Sequence, residues 1–195
     1  MSEILRPNAT GDETSIPYQY PDSGEHWDKV GEEVLDDNTY VGTSSYANYL
    51  RDLYKLPVHS DGLGTINSIT IYFRIRGTVD SYPGWGAPVQ KSGTTVTDGT
   101  LKTQGTSWAT KSQTYTVNPA TGVAYTWGEI DTLQIGVGLK VGLNGKSMYC
   151  SQVSVGIDYT PIAARVQEAA RNLLSVMGQE PVRVLEKKRK GCVAI

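Results

Sequence analysis

The chain has 195 residues, 20 acidic and 18 basic, which gives a formal net charge of −2. This balance argues against a protein whose whole surface is built to bind nucleic acid, and no apolar run approaches the roughly 20 residues that span a bilayer. Charged residues make up 19% of the chain, below the usual ~25%, and Gly, Ser, Thr and Tyr are plentiful. This composition favours strands and turns over helices.

The N-terminal third of the sequence predicts short strands separated by turns. Residues 1–15 lack the basic start and apolar middle of a signal peptide, so we expect synthesis in the cytoplasm of the producing cell without one. Ile4 to Arg6 predicts an edge strand that ends in a turn. Residues 17–25 predict a surface loop, Thr39 to Val41 predicts a strand, and residues 50–56 fit either a helical or a strand period.

A stronger strand pattern spans Ile66 to Arg76, where apolar residues alternate with polar ones. Its apolar side consists of Ile69, Ile71, Phe73 and Ile75. Residues 77–105 are rich in Gly, Pro, Ser and Thr and predict long loops with short strands. We expect those strands around Val89, residues 94–96 and residues 101–103, with one more strand over residues 106–117.

The best-specified stretch is residues 121–159. Thr126 and Glu129 match a capping box and predict a helical turn from Trp127 to about Leu133. Apolar residues then alternate with Gly136, Gly138 and Lys140, which indicates a half-buried strand with one small or charged face. Asn144-Gly145 predicts a type I′ turn and therefore a hairpin with a second strand ending at Tyr159. Such a hairpin needs further strands to cover its apolar face.

After Tyr159 the pattern changes to that of an amphipathic helix, capped by Thr160 and Pro161 and ended by Gly178. A short PVRVL segment and the basic run KKRK follow. The apolar stripe needs a partner surface, and we expect it to dock on a neighbouring subunit. The residues predicted to bind the partner are Ile162, Val166, Ala169, Leu173, Leu174, Met177, Val182, Val184 and Leu185.

Together these elements predict an all-β protein, an antiparallel jelly-roll-like β-sandwich with a C-terminal amphipathic helix and short tail. The predicted domains are residues 1–160 for the sandwich and residues 161–195 for an assembly appendage. The segments ILRPNATGDET, LDDNTYV, LPVHSDGLGTINSITIYFRIRG, TGVAYTWGEIDTLQIGVGL and YCSQVSVGIDYTP resemble a jelly-roll domain of tailed-phage virion proteins that also occurs in some bacterial surface proteins. The resemblance covers residues 4–161 and implies a non-enzymatic structural or adhesive module.

The sequence offers little that points to catalysis. His26 and His59 fall in different predicted loops, and their spacing does not match a zinc site. The sequence also indicates no acidic or basic residue that would act with either histidine in catalysis. There is no GxSxG elbow and no phosphate-binding Gly-rich loop with Lys. Cys150 and Cys192 show no CxxC spacing, and we do not expect them to form a disulfide. We therefore predict no enzymatic activity and no cofactor.

Asp36, Asp37 and Asn38 form a weak candidate for calcium, whose ligands are oxygens. No EF-hand pattern surrounds them. A polar turn, in which the Asp and Asn side chains bond the local backbone, is the favoured interpretation.

Tyr82, Trp85 and Trp108 lie in predicted loops, where flat rings can stack on sugars. Glycan binding by these residues is the main alternative function. The sequence favours a structural interpretation, in which the rings cap the ends of the sandwich. The reason is that sugar sites also need convergent polar groups.

The C-terminal tail carries two weak motifs. KKRK at residues 187–190 can contact phosphates, but short terminal basic runs are usually solvated, so we do not expect nucleic acid as a partner. The last four residues, beginning at Cys192, also fit a prenylation signal, a motif that arises easily by chance. We predict no membrane association.

These observations lead to a main hypothesis and an alternative. The main hypothesis is a virion structural protein, a capsid decoration or minor head protein that forms homo-oligomers and contacts other capsid or tail subunits. The alternative is a glycan-binding adhesin or tail-associated module that recognises a host-surface glycan through its loop aromatics.

Overall fold

The computed structural model describes residues 1–60 and 64–162. Met1–Pro161 forms one compact unit. Within the described residues the helical elements are a 3-10 turn at His26–Lys29 and the single-turn helix α1 at Trp127–Ile130. No helix in this part of the chain is long and apolar enough to cross a membrane.

All other regular structure in the described ranges is β-strand. In chain order the strands are β1 (Ser2–Leu5), β2 (Ala9–Thr14), β3 (Tyr18–Tyr20), β4 (Tyr40–Thr43), β5 (Leu50–Lys55), β6 (Gly64–Gly77), β7 (Gly84–Ser92), β8 (Thr95–Asp98), β9 (Lys102–Gln104), β10 (Ala109–Tyr115), β11 (Gln134–Lys140) and β12 (Met148–Pro161).

The strands form two antiparallel sheets of six strands each. The first sheet has the order β10-β6-β12-β4-β3, and β1 pairs with the far end of β12. The second sheet has the order β2-β5-β11-β7-β8, and β9 pairs with the beginning of β7. The fold is therefore an antiparallel two-sheet sandwich of the jelly-roll-like kind, as the sequence predicted.

The core lies between the two sheets. Ile69, Ile71 and Ile75 of β6 are fully buried on the inner face of the first sheet, as their alternation predicted. Val137 and Leu139 of β11 belong to the same hydrophobic cluster from the other sheet. Each such side chain contributes about 1.5–3 kcal/mol by leaving water, so the sandwich depends mainly on this layer.

The hairpin predicted at Asn144-Gly145 is wrong. A turn is present, with positive φ at Gly145, but the strands on either side belong to different sheets. The Val141 backbone N–H donates to Ser45 and the Ser147 N–H donates to the Thr78 hydroxyl, so other loops hold the connection. A local turn signal could not show that β11 and β12 find their partners far away in the chain.

Three other local predictions concern the helical turn after Thr126, residues 17–25 and residues 50–56. The capping box of Thr126 and Glu129 is confirmed, although the helix ends at Ile130 and not near Leu133. The predicted loop at residues 17–25 contains β3. Of the ambiguous residues 50–56, Leu50–Lys55 form strand β5.

The C-terminal predictions fall outside the described residues, except at Ile162, which is 52% exposed. The amphipathic helix, the KKRK run and Cys192 therefore stay predictions. So do the other predicted partner-binding residues, Val166, Ala169, Leu173, Leu174, Met177, Val182, Val184 and Leu185. By contrast, Cys150 is a free, fully buried thiol, and burial raises its pKa to about 12.

Candidate functional site

The outer face of the second sheet carries a groove. Strand alternation places Ile135, Val137 and Leu139 of β11 toward the core and turns Gly138 and Lys140 outward. In the neighbouring strand β7, the outward residue paired with Lys140 is Trp85. The small or charged face that the sequence predicted for β11 thus becomes the floor of an exterior site.

The groove has a volume of about 380 Å³, within the range of small-ligand sites. Its walls combine aromatic and apolar groups with a carboxylate and an ammonium group. The lining residues are Tyr49, Trp85, Asp98, Gly99, Leu101 and Lys140. Tyr49 directly precedes β5, Trp85 and Lys140 belong to β7 and β11, and the remaining residues come from the end of β8 and the β8–β9 connection.

The Tyr49 ring lies over the floor because Gly138 has no side chain. A Cβ built at Gly138 would overlap the far end of the Tyr49 ring, including its hydroxyl. The Tyr49 hydroxyl is buried, and no protein group in the described residues bonds to it. Burial raises the pKa of Tyr49, and the Asp98 carboxylate adds to this effect, so the hydroxyl stays protonated at neutral pH. The Tyr49 hydroxyl therefore retains unused hydrogen-bonding capacity beside the groove.

Two charged groups complete the site. Arg51 of β5 donates to Glu13 at 3.1 Å and to Asp98 at 3.2 Å. These bonds hold the Asp98 carboxylate in place while leaving it acceptor capacity. Lys140 makes no salt bridge with any described residue. The groove therefore presents one acceptor, one cationic donor and one hydroxyl around an apolar wall.

Of the three aromatic residues proposed from sequence, the structure places Trp85 alone in this groove. Tyr82 is 59% exposed in the loop before β7. Trp108 contacts Tyr40 and Arg76 on the outer face of the first sheet. Sequence reasoning missed Tyr49, Asp98, Leu101 and Lys140, because they become neighbours through strand pairing between distant segments. The one available signal was the glycine-rich face of β11.

The weak calcium candidates have protein partners. Asp36 accepts hydrogen bonds from the backbone and side-chain amides of Asn38 at 2.8 Å, which is the turn geometry favoured above. Asp37 accepts two hydrogen bonds from Arg74 at 2.7 Å and one from Ser151. In residues 1–60 and 64–162 no group of three or more His, Cys, Asp or Glu side chains is arranged for a metal ion.

The Asp37–Arg74 pair should make stability depend on pH. Arg74 lowers the pKa of Asp37 below its ordinary value, so the pair stabilises the fold above the unfolded-state pKa of about 3.9, and this stabilisation is lost as pH falls through the lower folded-state pKa. We expect Asp37→Asn to cost about 1 kcal/mol at pH 7, since the pair is partly exposed, and less at acidic pH. Urea unfolding of both proteins across a pH series measures this, and a cost that does not change with pH would contradict it.

Both histidines pair with carboxylates away from the groove. His26 Nδ1 lies 2.6 Å from Asp52, and His59 Nδ1 lies 2.6 Å from Asp131. Neither histidine lines the groove. The absence of enzymatic activity stays a prediction.

Comparison with known proteins finds no matching family model and no matching curated protein. Solved structures do match. The C-terminal family 6 carbohydrate-binding module of a marine laminarinase from Zobellia galactanivorans is 14% identical with a TM-score of 0.41, covering 80% of this chain and 98% of its own. The CBM36-1 domain of a xylanase from the hindgut metagenome of Trinervitermes trinervoides is 12% identical with a TM-score of 0.37, covering 83% and 100%.

A third similar structure is the N-terminal cellulose-binding domain of β-1,4-glucanase C from Cellulomonas fimi. It is 14% identical with a TM-score of 0.39, covering 65% of this chain and 82% of its own. The likeness to all three is one of β-sandwich architecture.

Proposed function

We propose that the sandwich is a non-catalytic glycan-binding module that holds an uncharged saccharide in the groove on the second sheet. The observation that carries this proposal is the meeting of Trp85 and Tyr49 with Asp98 and Lys140 in one concavity. The carbohydrate-binding modules named above share the architecture only, so the proposal depends on the groove itself.

The chemistry of the groove suits a sugar. A pyranose ring has an apolar face of C–H groups, which packs on an aromatic ring, and a rim of hydroxyls, which need donors and acceptors. Trp85 supplies the ring, while Asp98 accepts, Lys140 donates, and the unpaired Tyr49 hydroxyl does either. Arg51 is shared between Glu13 and Asp98, so the charge of Lys140 balances the one negative charge that these three groups leave. The groove therefore has no net charge to favour an ionic sugar.

Trp85→Ala tests the proposal. We expect this change to weaken binding to the recognised saccharide at least roughly 30-fold, the scale of a buried aromatic anchor of about 2 kcal/mol. The residue is half-buried on the outer face and lies outside the core cluster, so the fold should survive. The measurement is a glycan array followed by titration calorimetry on the glycan that binds.

The matched control is Tyr82→Ala, which removes an exposed aromatic ring outside the groove. It should leave binding unchanged. Equal losses from both changes, or a wild-type protein that binds no saccharide on a broad array, would overturn the proposal.

The main sequence hypothesis, a virion structural role, depends on docking by the segment from Ile162 onward. Apart from Ile162 that segment lies outside the described residues, so the virion role and its partners stay predictions. Deleting the residues after Pro161 still tests them: we expect the truncated sandwich to stay folded and to lose assembly. The groove gives the glycan-binding alternative the better physical support.

A further inference from the structure

The outer face of the first sheet carries a second surface, on which aromatic rings surround an arginine. We call it the arginine–aromatic patch, and it consists of Tyr20, Tyr40, Arg76, Trp108 and Tyr149. The Tyr20 and Tyr40 rings stack at 5.5 Å with an interplanar angle of 20°, and Tyr149 lies 4.7 Å from Tyr40. Tyr20 is 54% exposed, so the row of rings opens to solvent at that end. None of these residues lines the groove on the second sheet.

Arg76 sits among these rings and forms no salt bridge with any described residue. Its guanidinium lies 5.0 Å from the centre of the Trp108 ring and 5.5 Å from that of Tyr149, which are cation–π distances. The Nε atom is buried and has no hydrogen-bond partner in the described residues. The neighbouring Arg74 differs, because Asp37 neutralises it through two bonds of 2.7 Å. The patch therefore carries one fixed positive charge with unused donor capacity.

We propose that the arginine–aromatic patch is a second ligand site, which recognises a carboxylate-bearing saccharide, a uronic acid unit in a polysaccharide. The guanidinium donates a charge-assisted hydrogen bond to the carboxylate, and the row of tyrosines receives the apolar faces of the adjoining sugar rings. This site is separate from the groove, so the proposal does not depend on whether the groove binds an uncharged saccharide.

The charge of the patch favours a polyuronate over single-stranded nucleic acid. Sequence-tolerant nucleic-acid sites also use aromatic stacking, but they add a positively charged channel that follows many phosphates. Here Arg74 is already paired, so Arg76 is the net charge left for the ligand. One charge among several rings matches one carboxylate on a largely uncharged sugar surface.

The test is binding of the full chain to galacturonic acid oligosaccharides, measured by calorimetry at low and high salt. We expect Arg76→Gln to weaken binding at least about tenfold, the scale of a lost hydrogen bond to a charged group. Arg76→Lys keeps the charge but not the planar fork, so it should recover only part of the loss. Salt should weaken the wild-type interaction, because the site is at the surface.

Three controls separate this site from the groove and from general charge effects. Methyl-esterified oligosaccharides, which lack the carboxylate, should bind as weakly as Arg76→Gln does to the acid form. Trp85→Ala should leave the acid form bound, as should Lys55→Gln, which removes an exposed positive charge on the other sheet. Loss of binding with Trp85→Ala, unchanged binding with Arg76→Gln, or binding of single-stranded DNA without the uronate would each overturn the proposal.

Discussion

Replacing Asp52 by alanine is expected to lower the free energy of unfolding by about 3–5 kcal/mol, the cost of removing one partner from a buried charged cluster. Asp52 is fully buried on the inner face of β5. One carboxylate oxygen accepts from the Ile16 backbone N–H at 2.9 Å, and the other accepts from His26 at 2.6 Å and from the Tyr54 hydroxyl at 3.1 Å. The alanine variant leaves these donors without an acceptor.

The burial of Tyr54 strengthens this expectation. Desolvation raises the pKa of Tyr54 well above its ordinary value, with the Asp52 charge adding to it, so its hydroxyl remains a donor that needs an acceptor. Asp52→Asn keeps an amide oxygen in place and should recover part of the stability. The free energy of unfolding of Asp52→Asn can therefore be measured even if the alanine variant does not fold.

The second His–Asp pair of the described residues is the matched control. His59 and Asp131 lie at the same 2.6 Å, but their side chains are 22% and 30% exposed. Asp131→Ala should cost only about 1 kcal/mol, because water can replace the lost partner. Urea unfolding followed by tryptophan fluorescence measures both changes. Equal costs for Asp52→Ala and Asp131→Ala would show that burial does not set the value of the pair.

Local signals in the sequence account for much of the sandwich. The alternation at Ile69, Ile71 and Ile75 reports a strand with one buried face, and the capping box at Thr126 reports a helical turn. Both patterns involve residues that are close together in the sequence, so they can be recognised without knowledge of the rest of the fold. Strand pairing is different, because β11 lies between β5 and β7 while β12 joins the other sheet. The turn at Gly145 contains no information about that choice.

The same limit applies to the binding surfaces. Trp85 could be proposed from sequence because a tryptophan among Gly, Pro and Ser residues indicates an exposed ring, although the prediction that it lies in a loop is wrong, since it belongs to strand β7. Tyr49 could not, because its importance comes from the glycine it covers on another strand. The arginine–aromatic patch is harder still, since Tyr40 and Tyr149 touch only after β4 pairs with β12. The sequence shows which aromatic and charged residues are present. Which of them become neighbours depends on the pairing of strands that are far apart in the chain.

Gly136→Ala is expected to be the most damaging small substitution on β11, at about 3 kcal/mol or more, the upper range for overpacking. A Cβ at Gly136 would overlap the Asp52 carbonyl oxygen in the neighbouring strand β5. Backbone in the middle of a sheet cannot move aside without breaking the ladder that holds β5 against β11. Chemical denaturation, with circular dichroism to check the fold, measures the loss.

Gly138→Ala, two residues along on the same face, provides the contrast. Its Cβ would meet the end of the Tyr49 ring, a side chain that can rotate away. We expect a stability cost of about 1 kcal/mol but a clear loss of saccharide binding, because Tyr49 no longer lies on the groove floor. Adding Tyr49→Ala to Gly138→Ala should restore most of the stability and none of the binding, the non-additivity expected of residues in contact. If both glycine variants were equally unstable, or if Gly138→Ala bound saccharide normally, Tyr49 would not owe its position to the missing side chain.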